Sequence, residues 1–200
     1  MSRAAALAVI LSLAFSAALS GCGEKEEAAV PPPREFTGDE IAYFCSMALS
    51  EHTGPKGQIF LTGRDEPYWF SSVRDTIAFT MLPGEPNNIA AVYVTDLARA
   101  QDWDHPGPGA WVDARKAVFV IESARKGGMG MAEAAPFSDE RAAQEFMAQY
   151  GGRMVGFADL PQSYILGPGG GAPGSDMTPG GMGGPPMDHP PDSTVPHDMP

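Results

Sequence analysis

Cysteine, basic side chains and long apolar runs are all scarce in this chain, and each shortage narrows what it can be. Two cysteines, Cys22 and Cys45, occur in 200 residues, too few for a disulfide-stapled scaffold. Lysine and arginine number 13 against 25 acidic residues, a formal net charge of -12. That balance argues against nucleic acid, which requires a basic stripe, and against electrostatic attachment to anionic lipid. Cations and basic protein surfaces are its natural company. The most sustained apolar stretch, Ala4 to Ala18, falls short of the roughly 20 residues of a membrane-spanning helix.

What is present begins with the address. One arginine, Arg3, precedes that apolar stretch, and small residues follow it, the pattern of a secretory signal. The stretch ends in Leu19-Ser20-Gly21-Cys22, which looks like the bacterial lipobox. The resemblance implies cleavage before Cys22, acylation of its sulfur and attachment to a membrane facing the periplasm. No aspartate directly follows Cys22, which favours the outer membrane over the inner. With Cys22 acylated, Cys45 is the one free thiol of the mature chain, and in an oxidising compartment it needs a reason: burial, catalysis or metal binding.

The composition divides the rest. Residues 1–21 form the signal peptide and 22–35 a charged, proline-terminated tether. Residues 167–200 are dominated by glycine and proline and lack lysine and arginine, so disorder is expected there. Between them, FSSVRDTIAF (70–79) and FSDERAAQEF (137–146) share F-S-x-x-R-x-x-x-x-F, 67 residues apart (137 - 70). Each is read as a strand end, an N-cap and a helix. β-like stretches precede each helix (57–61 and 68–70; 116–123 and 135–137) and follow it (89–96; 153–157). The expected fold is therefore α+β, a tandem pair of small β-β-α-β units at 36–100 and 111–166, joined by a turn-rich linker at 101–110. Units of about 60 residues are marginal alone, so the two should lean on each other or on a second chain. Trp103 and Trp111 are expected near the junction, and Met81, Met147 and Met154 in apolar faces.

The chemistry centres on Tyr43-Phe44-Cys45-Ser46-Met47. Thiolate and thioether ligands select soft Cu(I) over carboxylates and water. Residues i and i+2 point to opposite sides of a helix but share a face of an extended segment or loop. A metal-binding Cys45 and Met47 thus require that 45–47 not lie mid-helix, although DEIAYFCSMALSE can be read as one. Taken alone, C-x-M is a weak signal and reads first as core packing, because cysteine and methionine are often buried.

The runs CSMALSEHTGPKGQIFLTGRDEPYWFSSVRDTIAFTML (45–82), WVDARKAVFVIESARKGGMGMAEAAPFSDERAAQEF (111–146) and PQSYILG (161–167) resemble the NosL family, lipoproteins of nitrous oxide reductase gene clusters. The resemblance covers the folded part and includes the lipobox. It implies a periplasmic Cu(I) chaperone, not an enzyme, that serves apo nitrous oxide reductase and takes copper from a membrane exporter of the same pathway. It also implies a pair of similar β-β-α-β units and a distant fold likeness to organomercurial lyase. The family's C-x-M falls on Cys45 and Met47, and its glycine-rich segment on Gly127 to Gly130. That segment offers Met129 as a third soft ligand from the second unit, with Met131 a poorer fit. His52 could complete the site by imidazole or be solvated in a loop; His105 sits in the linker, and Asp113 could take a harder metal or pair with Arg115. A homodimer of the metal-free chain is also admitted.

The C-terminal segment carries Met177, Met182, Met187, His189, His197 and Met199, candidates for accessory, exchangeable metal capture. About 34 such residues reach roughly 30 Å, far enough to visit Cys45. Two rival functions remain. A thiol-dependent hydrolase or lyase would use Cys45 as nucleophile, but only His52 is near as a base. A non-metal scaffold lipoprotein would simply bury Cys45.

Overall fold

The computed structural model describes residues 30–167; Cys22 and the candidates from Met177 to Met199 lie outside them. Seven strands and three helices follow in order: β1 (Gly57–Leu61), β2 (Tyr68–Phe70), α1 (Val73–Met81), β3 (Ile89–Thr95), β4 (Trp111–Asp113), β5 (Val118–Ile121), β6 (Ala135–Phe137), α2 (Glu140–Tyr150), β7 (Arg153–Gly156) and α3 (Gln162–Leu166). They form two antiparallel sheets, ordered β2-β1-β3-β4 and β6-β5-β7. The three-strand portion has the same connectivity in both, with the first strand central and the helix between the second and third. This is the tandem α+β arrangement that the repeated motif announces.

The repeat works at atomic level. Phe70 and Phe137 each end a second strand, and the residue two positions on caps a helix. Ser72 accepts a hydrogen bond from the Asp75 N–H, and Asp139 one from the Ala142 N–H. Each cap satisfies a first-turn donor that has no partner within the helix.

A shared core answers the marginal size of each unit. Ile59, Phe70, Val73, Ile77, Phe79, Val92 and Val94 of the first unit pack in one cluster with Phe119, Ile121, Leu160, Ile165 and Leu166 of the second. Behind the second sheet Val120, Phe137 and Ala143 pack with Trp103, Phe146 and Met154. Met81 and Met147 sit against the first and second clusters, as expected. Trp103 stacks on Phe146, while Trp111 packs on Trp69.

Two expected boundaries shift. Gln58 is fully buried on the central strand β1, so its amide needs partners. The Arg34 backbone supplies them, its N–H donating to Oε1 and its carbonyl accepting from Nε2, both at 2.8 Å. Pro31 O accepts from the Tyr93 hydroxyl, and Glu35 accepts from Gly109 N–H. The folded body thus starts near residue 31, within the segment read as tether. At the other seam, Trp111–Asp113 pairs with β3, so the first sheet takes three residues assigned by sequence to the second unit. Asp113 then caps a short turn, accepting from the Arg115 N–H.

Candidate metal centre at the unit junction

The segment from Ile41 to Ala48 is a closed loop. Ile41 and Ala48 form an antiparallel bridge, and Ala42 makes a parallel bridge to Trp69 at the edge of β2. Inside the loop, Ala42 N–H donates to Met47 O and Ser46 N–H to Ala42 O, both at 2.9 Å. Ser46 has φ 57°, a left-handed conformation incompatible with a continuing helix. Cys45 and Met47 therefore lie in a loop, which removes the helical objection to C-x-M.

Aromatic residues anchor this loop. Tyr43 packs against Phe44, Tyr68, Phe70 and Phe79 with ring centroids 4.6–5.8 Å apart. Its hydroxyl donates to Glu85 at 2.8 Å, and that bond, with burial, pushes the phenol up to about 12. Tyr43 N–H donates to Trp69 O at 2.8 Å. The parallel register of 42 on 69 carries Cys45 alongside Ser71, just past the end of β2.

Four residues converge there. Cys45 Sγ lies 3.6 Å from His52 Nε2 and 3.8 Å from Ser71 Oγ. The Ser71 hydroxyl also donates to Met129 Sδ at 4.0 Å. Cys45 is half-buried, His52 and Ser71 are buried, and Met47 and Met129 are exposed at 43% and 52%. The thiol thus has apolar support from Ala42, Leu49 and Trp69 on one side, while two candidate thioethers stand in solvent. Met131, too, is exposed at the end of the methionine turn, and His105 is exposed in the linker beside Asp102.

The loops that carry His52 and Met129 touch through backbone. A Cβ placed on Gly128 would sit 2.2 Å from Thr53 O, so only glycine permits the approach. The turn itself is closed by Gly127 N–H to Met131 O and Gly130 N–H to Gly127 O. Buried Lys56 holds the opposing loop, its ammonium donating to His52 O at 2.8 Å and Gly54 O at 3.1 Å; burial lowers its pKa. Glu133 Oε1 accepts from Arg74 N–H at 2.8 Å and Ala134 N–H at 2.9 Å, fastening the base of the methionine turn to the start of α1.

Sequence reading missed Ser71, Lys56 and Glu133. The repeat did single out Phe70-Ser71, but only as a strand end before a cap. Lys56 and Glu133 look like surface charges until the fold buries them at 3% and 2% exposure. Among the described residues, no three His, Cys, Asp or Glu side chains gather as a metal-holding group. What converges is a thiol, an imidazole and a thioether, a donor set matched to a soft ion. No helix among the described residues is long and apolar enough to cross a membrane.

A family model described as NosL matches residues 33–165. The copper-binding lipoprotein NosL of Achromobacter cycloclastes is 41% identical over 163 residues, spanning 81% of this chain and 84% of that protein. A protein of the same name from Stutzerimonas stutzeri is 30% identical over 157 residues, spanning 78% and 80%. The crystal structure of the copper chaperone NosL from Shewanella denitrificans matches with a TM-score of 0.62 at 30% identity, covering 66% of this chain and 99% of that one. Those names describe copper handling and no reaction, in line with the expectation of a non-enzyme. By family match, by identity over most of its length and by fold, the chain belongs to the NosL family.

Proposed function

We propose that this chain is a periplasmic, lipid-anchored carrier of Cu(I) that delivers the ion to apo nitrous oxide reductase during assembly of its copper sites. The observation that supports it is the approach of Cys45 Sγ, His52 Nε2 and, through Ser71, Met129 Sδ at one open junction. Cys45, Met47, Met129 and His52 are the ligands in this reading. Cu(I) displaces the thiol proton, so Cys45 binds as thiolate and one proton is released. The remaining ligands are neutral and two of them exposed, so an acceptor can replace each bond in turn.

Acylated Cys22 keeps the carrier at a membrane, the outer one by its flanking residues, within reach of a copper-exporting complex that loads it. A lyase or hydrolase built on Cys45 is the weaker reading, since a solvent-facing pair of thioethers serves no nucleophile. A scaffold with a buried thiol is weaker too, because Cys45 is only half-buried.

Anaerobic Cu(I) titration against a chelator tests the proposal. Tight one-to-one binding should be lost in Cys45→Ser and kept when the chain is cut after Gly167, which leaves Met177 to Met199 as accessory capture. Undiminished binding in Cys45→Ser would remove the copper centre from this junction.

A further inference from the structure

The repeated Phe-Ser does more than end two strands. In the second unit, Ser138 turns on an anion: its hydroxyl donates to Asp96 Oδ2 at 2.6 Å and its N–H to Asp96 Oδ1 at 2.9 Å. In the first unit the equivalent Ser71 is 2% exposed, and its hydroxyl meets two sulfur atoms, Cys45 Sγ at 3.8 Å and Met129 Sδ at 4.0 Å. A neutral thiol and a thioether are weak partners for a buried hydroxyl, which ordinarily secures a strong one. One of those sulfurs becomes an anion when the proposed cargo binds.

We propose that Ser71 is the positioning residue of the copper centre, holding Met129 in the metal-free chain and turning to hydrogen-bond the Cys45 thiolate when Cu(I) is bound. The inference rests on the copper reading above. In the metal-free chain the Ser71 O–H donates to Met129 Sδ, which leaves Ser71 Oγ to accept from the Cys45 S–H whenever that thiol is not turned to His52 Nε2, 3.6 Å away. On loading, the Cys45 S–H bond breaks, a Cys45 S–Cu(I) bond forms and the proton leaves to solvent. No oxidation state changes. Met129 commits its sulfur lone pair to the metal, and Ser71 Oγ loses the thiol donor. The hydroxyl rotates and donates to the thiolate, a charge-assisted bond stronger than either sulfur contact it replaces. The first-unit serine then does on loading what Ser138 does permanently for Asp96.

The test titrates Cu(I) anaerobically into the full chain in detergent against a chromophoric chelator, following the near-ultraviolet thiolate-to-copper band. Ser71→Ala should lower the affinity about tenfold, the scale of one hydrogen bond to a charged group. The band should move to longer wavelength, because a thiolate without its donor gives up charge more readily. Ser71→Thr, which keeps the hydroxyl, should hold the band in place, and Ser138→Ala should leave it unmoved. An affinity loss without a band shift would reduce Ser71 to packing and overturn the inference, as would a Ser71→Ala chain indistinguishable from the parent. Cys45→Ser separates the two levels. Binding that survives without Cys45 sinks the copper reading, whereas binding lost with Cys45 but indifferent to Ser71 sinks only the role of the hydroxyl.

Discussion

At the scale of single residues, the junction is governed by contacts that leave no slack. Gly128 is the sharpest case, since the atom that a new Cβ would strike is a backbone oxygen, Thr53 O, 2.2 Å away. Backbone cannot swing aside as a long side chain can. Gly128→Ala should therefore destabilise the chain by about 1–3 kcal/mol, the usual cost of overpacking, and lift the Met129 turn from the His52 loop. Denaturant midpoints read the first effect and Cu(I) affinity the second. Gly130, with nothing within 4 Å of its Cβ position, is the control for the turn. Its φ of 74° still penalises alanine, but without pushing the two loops apart.

Tyr43, Phe44 and Cys45 divide their work in the same compact way. The two aromatic rings pack against Phe70 of the first-unit cluster, with Tyr43 itself still exposed, and this fixes where the next residue points. A sequence reader sees three residues that are all apt for a core. Only the packing separates the two that anchor from the thiol that is presented.

At the scale of elements, Glu133 ties the start of α1 to the entry of β6. Burial is the main force on its carboxyl and pushes it up to about 8, while the N–H groups of Ala134 and Arg74 pull the other way. A carboxyl raised from its ordinary value of 4.5 holds its proton in the folded chain after the unfolded chain has released its own. Its contribution to stability is therefore full below about pH 4.5 and is lost as pH rises towards about 8. Across that window the slope approaches 1.4 kcal/mol per pH unit, roughly the worth of one pKa unit. Glu133→Gln keeps an acceptor oxygen for both N–H groups and should flatten that slope. Unfolding midpoints taken from pH 5 to pH 8 would show it, and an unchanged slope would mean the carboxylate stays ionised there.

The elements were also where the sequence spoke most clearly. β1, β2 and β6 fall at 57–61, 68–70 and 135–137, the bounds of the stretches read as β-like. The stretch read as a strand from 116 is shorter, because Ala114–Lys116 closes a 3-10 turn capped by Asp113 and β5 starts at Val118. Capping chemistry outranks strand propensity over such a distance. β4 could not be read at all, since three residues reveal their pairing only when β3 lies beside them.

At the scale of the whole molecule, the two units are built on one shared core. Phe119 lies on β5 of the second unit, fully buried in the cluster with Ile77 and Phe79 of the first. Phe119→Ala should cost about 3–5 kcal/mol through lost burial and the cavity left behind. It should lower one unfolding transition rather than split it in two. Tryptophan fluorescence and circular dichroism recorded together would check this, and two separated transitions would show units that fold independently. Cooperativity matters to the candidate metal centre because its residues come from both units. Cys45, His52 and Ser71 belong to one and Met129 to the other, so loosening the shared core should loosen the candidate site.

The sequence by itself determined the two-unit α+β plan, because helical periodicity, helix caps and the repeated Phe-Ser motif are local and survive without partners. It also brought Cys45, Met47 and His52 forward as donor types, and the resemblance of its glycine-rich segment to the NosL family added Met129. Only the tertiary structure decided that 45–47 is a loop, that residues 31–35 join the body and that Cys45 faces Ser71. These depend on contacts between distant segments: Ala42 on Trp69, Arg34 on Gln58, Gly128 on Thr53. Burial decided the rest. Lys56 and Glu133 are charged residues like any others in the sequence, and enclosure between the units makes one hold the His52 loop and the other the Met129 turn.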